Sequence, residues 1–489
     1  MSSLKTNVVL NLLNTVTSIV FPIVTFPYAA RVLLPGGIGA VNFQLSIINY
    51  IVLFVSLGIP MYGVREVARH RDDLRLRNRV AVELLLLSLG LCLPGYLVVW
   101  ALSVWVPQIH AQAVLFYLLS TTILFTSLGV QWFYQAVEDF KFITIRGIVV
   151  RVLAALSLFL FVKSPDDLLI YGAITVASTV GNNVINFVHL RHFVSLRSVD
   201  WRRLKVMRHL RPAFRIFVLN LIVSIYVNLN AVMLGFMQGD EAVGLYTAGV
   251  RLSQVVLSVV TSLSVVMLPR CANLLALGQM DAFSAVARKS VRFVLGLSLP
   301  FMMGLIVLSR PIIALFCGPD FGGSVAVLCW TAPIVLFVGL SNLIGIQILY
   351  PQDKERIVIW STAGGAVFNV VLNLWLIPLW AATGAAISTL VTEGVVLVIQ
   401  CWAGRRYLPF RLFDRAYWVY VVAAALMSVV VGWGAYVVSV DWLRILVGVV
   451  AGGLVYGGVL LWAKDALMMD ILDYVGLGRF VRSRAGREK

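Results

Sequence analysis

Charge is what this 489-residue chain has least of: Asp, Glu, Lys and Arg make up 12% of it, against 60% hydrophobic residues and a mean hydropathy of +0.94. A soluble fold of this length needs a polar surface that such a composition cannot supply, so membrane residence follows. Acids are scarcer than bases, 22 against 39. No pair of carboxylates sits on a loop where glycosyl transfer or hydrolysis would need one, and no catalytic residue is expected. The five cysteines (Cys92, Cys271, Cys317, Cys329, Cys401) lack paired spacing and histidine companions, which argues against disulfide frameworks and metal sites. No GxxxxGK[ST] loop occurs, and no polar gap is long enough for a soluble domain to carry one, which excludes direct use of ATP. A cleaved leader would have a short apolar core, whereas the first apolar run here is long enough to be a retained span.

What is present is a series of about fourteen apolar stretches, at roughly 7–31, 38–63, 81–105, 112–135, 147–163, 168–190, 214–237, 242–268, 293–316, 325–349, 357–377, 382–403, 418–438 and 443–463. Each is near the ~20 residues that cross a bilayer as helix. Thirty-three of the 39 Lys and Arg residues fall in alternate gaps between them. Short basic loops resist translocation, so these gaps are expected to face the cytoplasm of an inner-membrane protein with both termini inside. The net charge of +17 is thus spent on topology and contact with membrane lipids, and nucleic acid is not an expected partner. The two longest basic gaps, 191–215 and 269–292, read as amphipathic connectors lying in the interface. The tail from Lys464, ending in Arg479, Arg482, Arg484 and Arg487, reads as a surface anchor.

A repeat runs through the chain at an offset near 205 residues. LNLLN (10–14) and LNLIV (219–223) lie early in the first and seventh spans, and GIGAVNFQLSI (37–47) and AVGLYTAGVRLS (242–253) open the second and eighth. Six spans per copy is an even number, so the copies share one topology and are related by an axis along the membrane normal. The expected architecture is all-α: a six-helix lobe over 1–210, a second over 211–415 around a central cavity, a helix pair over 416–463 and a basic tail over 464–489.

Several motifs in order carry a resemblance. FPYAARVLLPGGIG (26–39), YGVREVARHRDD (62–73), WFYQAVEDFKFITIRGIVVR (132–151), GDEAVGLYTAGVRL (239–252), LFCGPDF (315–321), LYPQDKER (349–356) and GGAVFNVVLNLWLIPLWAATGAAISTLVTE (364–393) resemble the polysaccharide exporters, or O-antigen flippases, of the multidrug/oligosaccharidyl-lipid/polysaccharide superfamily. The resemblance implies a carrier that moves undecaprenyl-pyrophosphate-linked oligosaccharide to the periplasmic leaflet by alternating access, for O-antigen, capsule or exopolysaccharide synthesis. It also implies polymerase and chain-length proteins of the same pathway as partners, and no cofactor. Two positions depart from the pattern: Leu34 stands where the family usually has Gly before Pro35, and Ala136 where Gly commonly precedes the acidic turn.

Of the six basic residues outside the stripe, Lys163 and Arg444 fall in outer loops, and Arg31, Arg151 and Arg310 lie close enough to an interface to snorkel. Arg251 is about 13 Å deep in the eighth span at 1.5 Å per residue, so it must face protein or water. Glu393, in the twelfth span, is its acidic counterpart in depth. Either the two pair, or Arg251 holds a pyrophosphate by parallel hydrogen bonds while Glu393 serves coupling or structure. By resemblance, the first two helices of each lobe line the cavity, which adds Arg31, Asn220 and Asn228 as candidate substrate contacts. The other membrane-depth amides (Asn182, Asn186, Asn342, Gln347, Asn369, Asn373) read as helix-to-helix hydrogen bonds. Pro22 and Pro27 permit a hinge in the first span. Arg65, Glu66 and Arg69 are candidates for an inner mouth or gate. Proton or sodium coupling stays open. The rival readings are a cation-coupled multidrug exporter and a peptidoglycan-precursor (lipid II) flippase of the same superfamily.

Overall fold

A computed structural model describes residues 4–195, 199–410 and 414–474, and the basic end of the tail lies outside the described residues. By packing, the chain divides into unit 1, Met1–Gly244, and unit 2, Leu245–Lys489. Among the described residues the structure is all-helical. In chain order the helices are α1 Leu4–Ser56, α2 Ile59–Arg69, α3 Leu74–Trp105, α4 Pro107–His110, α5 Ala113–Leu128, α6 Gln131–Ala136, α7 Phe140–Phe161, α8 Leu168–Leu190 and α9 Leu210–Gln238. They continue with α10 Asp240–Ala276, α11 Met280–Val307, α12 Ser309–Phe316, α13 Ser324–Thr331, α14 Ile334–Asn342, α15 Glu355–Gly404, α16 Trp418–Val437, α17 Asp441–Trp462 and α18 Ala466–Tyr474. The boundary at 244 follows packing, with α9 lying against α1 and α2. The expected boundary at 210 follows the repeat, and the two need not coincide.

Eleven helices among the described residues are long and apolar enough to cross a membrane. Two of the helices, α1 and α15, run 53 and 50 residues, about 75–80 Å, more than twice a ~30 Å hydrocarbon core. Both are broken. The chain of α1 leaves helical geometry at Leu34 (φ 59°, ψ 175°), and α15 does so at Trp380 and Ala381 (φ 44°, ψ −123° at Ala381). Counting each broken helix twice and adding the 29-residue α9 gives fourteen spans, as the apolar runs predict.

The connector expected over 269–292 is mostly helix. Helix α10 runs on to Ala276 and α11 starts at Met280, with Gly278 (φ 68°) taking the tight turn between them. Cys271 of α10 and Phe283, Ala287 and Val291 of α11 are buried in one core, which keeps this stretch packed as helix. The connector near 200 does leave helical form. There Trp201–Arg203 and Val206–His209 make short 3-10 turns, the second of which lies against α3 and α9.

Unit 1 has an aromatic core near its basic end, in which Ile59, Tyr62, Leu84, Phe133 and Tyr134 are buried together. The core of unit 2 gathers Val260, Phe283, Val291, Leu343 and Tyr420. Here α18 docks through Tyr420 Oη donating to Asp465 Oδ1 (2.8 Å) and an ion pair from Lys289 to Asp470 (2.8 Å).

Candidate functional site

Three polar constellations of unit 1 stand out, one at each end and one between. At the end away from the basic stripe, the second half of α1 begins at Pro35 and α10 begins at Asp240. A Cβ on Gly39 would overlap the Asp240 carbonyl, and a Cβ on Gly244 would overlap the carbonyl of Pro35. Pro35 and Asp240 are 205 residues apart, and so are Gly39 and Gly244. The repeat therefore reappears as a reciprocal close contact that only glycine permits. Polar groups flank it: Gln44 donates to Gln112 Oε1 (2.8 Å), and Gln112 donates to Asp240 Oδ2 (2.8 Å).

At membrane depth, α1, α7 and α8 enclose a cavity of about 210 Å³ lined by Arg151, Ser18, Thr25, Tyr171, Thr175 and Ser178, with Pro22 in its wall. Arg151 does not snorkel. Its Nη1 reaches across to α1 and donates to Asn14 Oδ1 (3.1 Å) and to Thr17 Oγ1 (2.9 Å). No carboxylate lines the cavity, so it favours anions and hydroxyls over cations.

At the basic end, Glu83 of α3 is fully buried and accepts from four directions. Arg79 Nε reaches Oε1 (2.9 Å), Arg208 Nη2 and His209 Nε2 reach Oε2 (2.7 and 2.9 Å), and the Lys205 backbone N–H reaches Oε1 (2.6 Å). His209, 1% exposed, shares a second hydrogen bond through Nδ1 with Tyr62 Oη of α2 (2.8 Å). Burial lowers the His209 pKa, against the pull of the Glu83 carboxylate. The network clamps the connector onto α2 and α3. Beside it, the Arg65 guanidinium lies over the Tyr62 ring at 5.6 Å, and Glu66 pairs with Arg69 (3.7 Å) and His70 (3.8 Å). The expected gate trio is thus one surface continuous with the clamp.

The remaining candidates are placed as follows. Arg31 is exposed three residues before the break at Leu34. Asn228 is half-buried on α9, and the side chain of Asn220 lies outside the described residues. The backbone stays helical at Pro22 and Pro27, the break falling at Leu34 instead. In unit 2, Arg251 and Glu393 are each half-buried and each engaged with neighbours. Three of the membrane-depth amides bind helix to helix: Asn186 donates to the Gly129 carbonyl (2.9 Å), Asn369 to Ser388 Oγ (3.0 Å), and Gln347, in a π-helical turn, to Ser290 Oγ (2.7 Å), whereas Asn182 and Asn342 donate to the carbonyls of Ser178 (2.7 Å) and Val338 (3.1 Å), one turn back in their own helices.

Sequence reasoning passes over Glu83, Tyr62, His209, Gln44 and Gln112. Glu83 had a signal, a lone acid in the run VAVELLLL four residues after Arg79. The others had none, since their partners come from distant segments.

Comparison with known proteins gives a consistent set. The family model described as "Polysaccharide biosynthesis protein" matches residues 4–275, and the MatE model matches 216–375. A "Putative O-antigen transporter" of Escherichia coli (strain K12) is 23% identical over 398 residues, covering 81% of this chain and 95% of that protein. A "Probable lipid II flippase MurJ" of Rhizobium meliloti (strain 1021) is 30% identical over 204 residues, 40% of this chain and 37% of that one. Among solved structures, the lipid II flippase MurJ in an inward closed conformation superposes with a TM-score of 0.70 at 14% identity, covering 94% of this chain and 99% of that one. An inward-facing multidrug resistance MATE family transporter gives 0.63 at 13% identity, with 79% and 94% covered.

Proposed function

Because the chain belongs to the polysaccharide biosynthesis protein family, we propose that it is a flippase that carries a lipid-linked oligosaccharide diphosphate from the inner to the outer leaflet of a bacterial inner membrane. The basic gaps and both termini then face the cytoplasm. The observation that carries this reading is the chemistry at membrane depth. Arg151 lines a hydroxyl-rich cavity without a carboxylate, and Arg251 sits eleven residues into α10. Guanidinium beside hydroxyls and amides suits a diphosphate carrying sugars.

A cation-coupled multidrug exporter would place acids on such a wall, and the unit 1 cavity has none. The polyprenyl tail has an apolar track in the groove of about 530 Å³ between α1, α3 and α9, lined by residues such as Ile47, Phe54, Leu91 and Phe236. Alternating access would part the Gly39/Asp240 and Gly244/Pro35 contacts, which lie at the end of unit 1 away from the basic stripe. Arg31 and Asn228 of unit 1 and Arg251 of unit 2 are the proposed substrate contacts, with Glu393 as a coupling or structural group.

The test is genetic. A host whose own flippase is deleted accumulates lipid-linked glycan on the cytoplasmic side, and this chain is expected to restore surface glycan. Arg251→Ala at equal membrane abundance is expected to restore at least tenfold less. Full restoration by Arg251→Ala removes that residue from the path, and no restoration with any lipid-linked glycan rejects the function. Ionophores added to the same cells separate proton from sodium coupling.

A further inference from the structure

On the outside of unit 1, at its basic end, α7 and α8 form a groove of about 420 Å³ that none of the preceding roles uses. Arg146 lines it six residues into α7, about 9 Å from the helix start, the depth of the headgroup boundary. The residue is 7% exposed, and its Nε and Nη1 have no hydrogen-bond partner. Its nearest compensation is the Phe142 ring, with the guanidinium carbon 5.6 Å from the centroid. A ring face offsets part of a buried charge but supplies no acceptor for the N–H groups. His189, in the same groove, also has an unpartnered Nδ1, and its ring stacks on Phe142 at 4.0 Å. Asp139 caps α7, its Oδ1 accepting from the Phe142 backbone N–H (3.2 Å), and none of these nitrogens is bonded to it. Lys141 stands exposed at the rim, and Ile145, Val149 and Ile185 are exposed apolar walls.

We infer that this groove binds a monoanionic phospholipid, phosphatidylglycerol, from the leaflet that the basic stripe faces. The phosphate oxygens accept from the two free guanidinium N–H groups, and one acyl chain lies along Ile145, Val149 and Ile185. Arg146 and Lys141 against Asp139 leave one net positive charge, which matches one phosphodiester. Basic pockets between helices at this depth suit lipid headgroups on physical grounds.

The experiment uses the full-length protein in detergent, with native mass spectrometry and unfolding midpoint read while phosphatidylglycerol, phosphatidylcholine or inorganic phosphate is added. Phosphatidylglycerol is expected to bind at least tenfold more tightly than phosphatidylcholine and to raise the midpoint, with phosphate alone giving no shift. Arg146→Gln is expected to abolish the preference. Since a buried arginine can matter for folding, Val149→Trp provides the second arm: it fills the lipid-facing wall, leaves Arg146 in place, and is expected to lower phosphatidylglycerol binding by a similar factor. Equal binding of the two lipids, unchanged preference in either variant, or a full shift with phosphate alone overturns the assignment. None of these readouts depends on transport, so they stand or fall separately from the flippase reading.

Discussion

Leu34 and Gly239 stand 205 residues apart and hold nearly the same backbone, φ 59° and ψ 175° at one, φ 83° and ψ −177° at the other. That region of φ/ψ space belongs to glycine. One copy of the repeat meets the demand with glycine and starts its next helix with Asp240, while the other keeps a leucine and starts with Pro35. Both are good first residues for a helix, by dipole in one case and preset φ in the other. The halves thus keep a backbone geometry and let the chemistry diverge. The same contrast holds deeper in each unit. Unit 1 ties its helices with charges, at Glu83, Arg79, Arg208 and Arg151. In unit 2 the Lys289–Asp470 ion pair is exposed, and amides and hydroxyls tie helices in the interior, at Asn369 with Ser388, Gln347 with Ser290, and Gln400 with Ser341.

The largest expected effect tests that contrast. Glu83→Ala takes the shared acceptor from buried His209, half-buried Arg79 and exposed Arg208 and is expected to cost about 3–5 kcal/mol. Asn369→Ala, in unit 2, is expected to cost about 1–3 kcal/mol. Equal losses in detergent unfolding would erase the distinction between the units. Next come the paired glycines. Gly39→Ala and Gly244→Ala each force a methyl into a backbone carbonyl, and each is expected to lose about 1–3 kcal/mol, with transport falling in parallel. If one is tolerated and the other is not, the reciprocity of the contact is broken.

A smaller effect sharpens the opening pair. Gly239→Leu is expected to destabilise by about 1–3 kcal/mol, and Leu34→Gly to be neutral or stabilising by up to about 1 kcal/mol; loss of stability in Leu34→Gly would mean that its side chain matters more than its backbone. The smallest effect is a pH slope. With the His209 pKa lowered by burial, the folded state binds fewer protons there than the unfolded chain. The contribution of His209 is therefore complete above about pH 6.5 and is lost as pH falls through the folded value. The unfolding midpoint should drop between about pH 7.5 and about pH 5.5, and His209→Gln should flatten that drop. An unchanged slope would take His209 out of the clamp's pH response.

Span number and order were legible because a bilayer imposes a length on every apolar run, whatever the helices do next. The place where α1 breaks was partly legible too. Leu34 stands where glycine is usual in the resembling family, and the structure puts a positive φ there; Ala136, the other departure, ends α6 in ordinary geometry, and the positive φ falls at Glu138. The Glu83 clamp was not legible, because its partners Lys205, Arg208 and His209 lie more than 120 residues away and look like any topogenic basic cluster. The partners of Arg151 were hidden for a related reason. Depth along a helix can be counted from sequence, but the face that Asn14 and Thr17 occupy cannot.

The central claim is that arginines at membrane depth carry a diphosphate across, and reconstitution tests it most directly. Purified protein in vesicles, given fluorescent undecaprenyl-diphosphate glycan on one leaflet, is read by quenching from the other. The account predicts transfer well above protein-free vesicles, a rate at least tenfold lower in Arg251→Ala and in Arg151→Ala, and no transport of a lipophilic organic cation. Transfer no faster than in empty vesicles, or export of the cation at rates unaffected by either substitution, would contradict it.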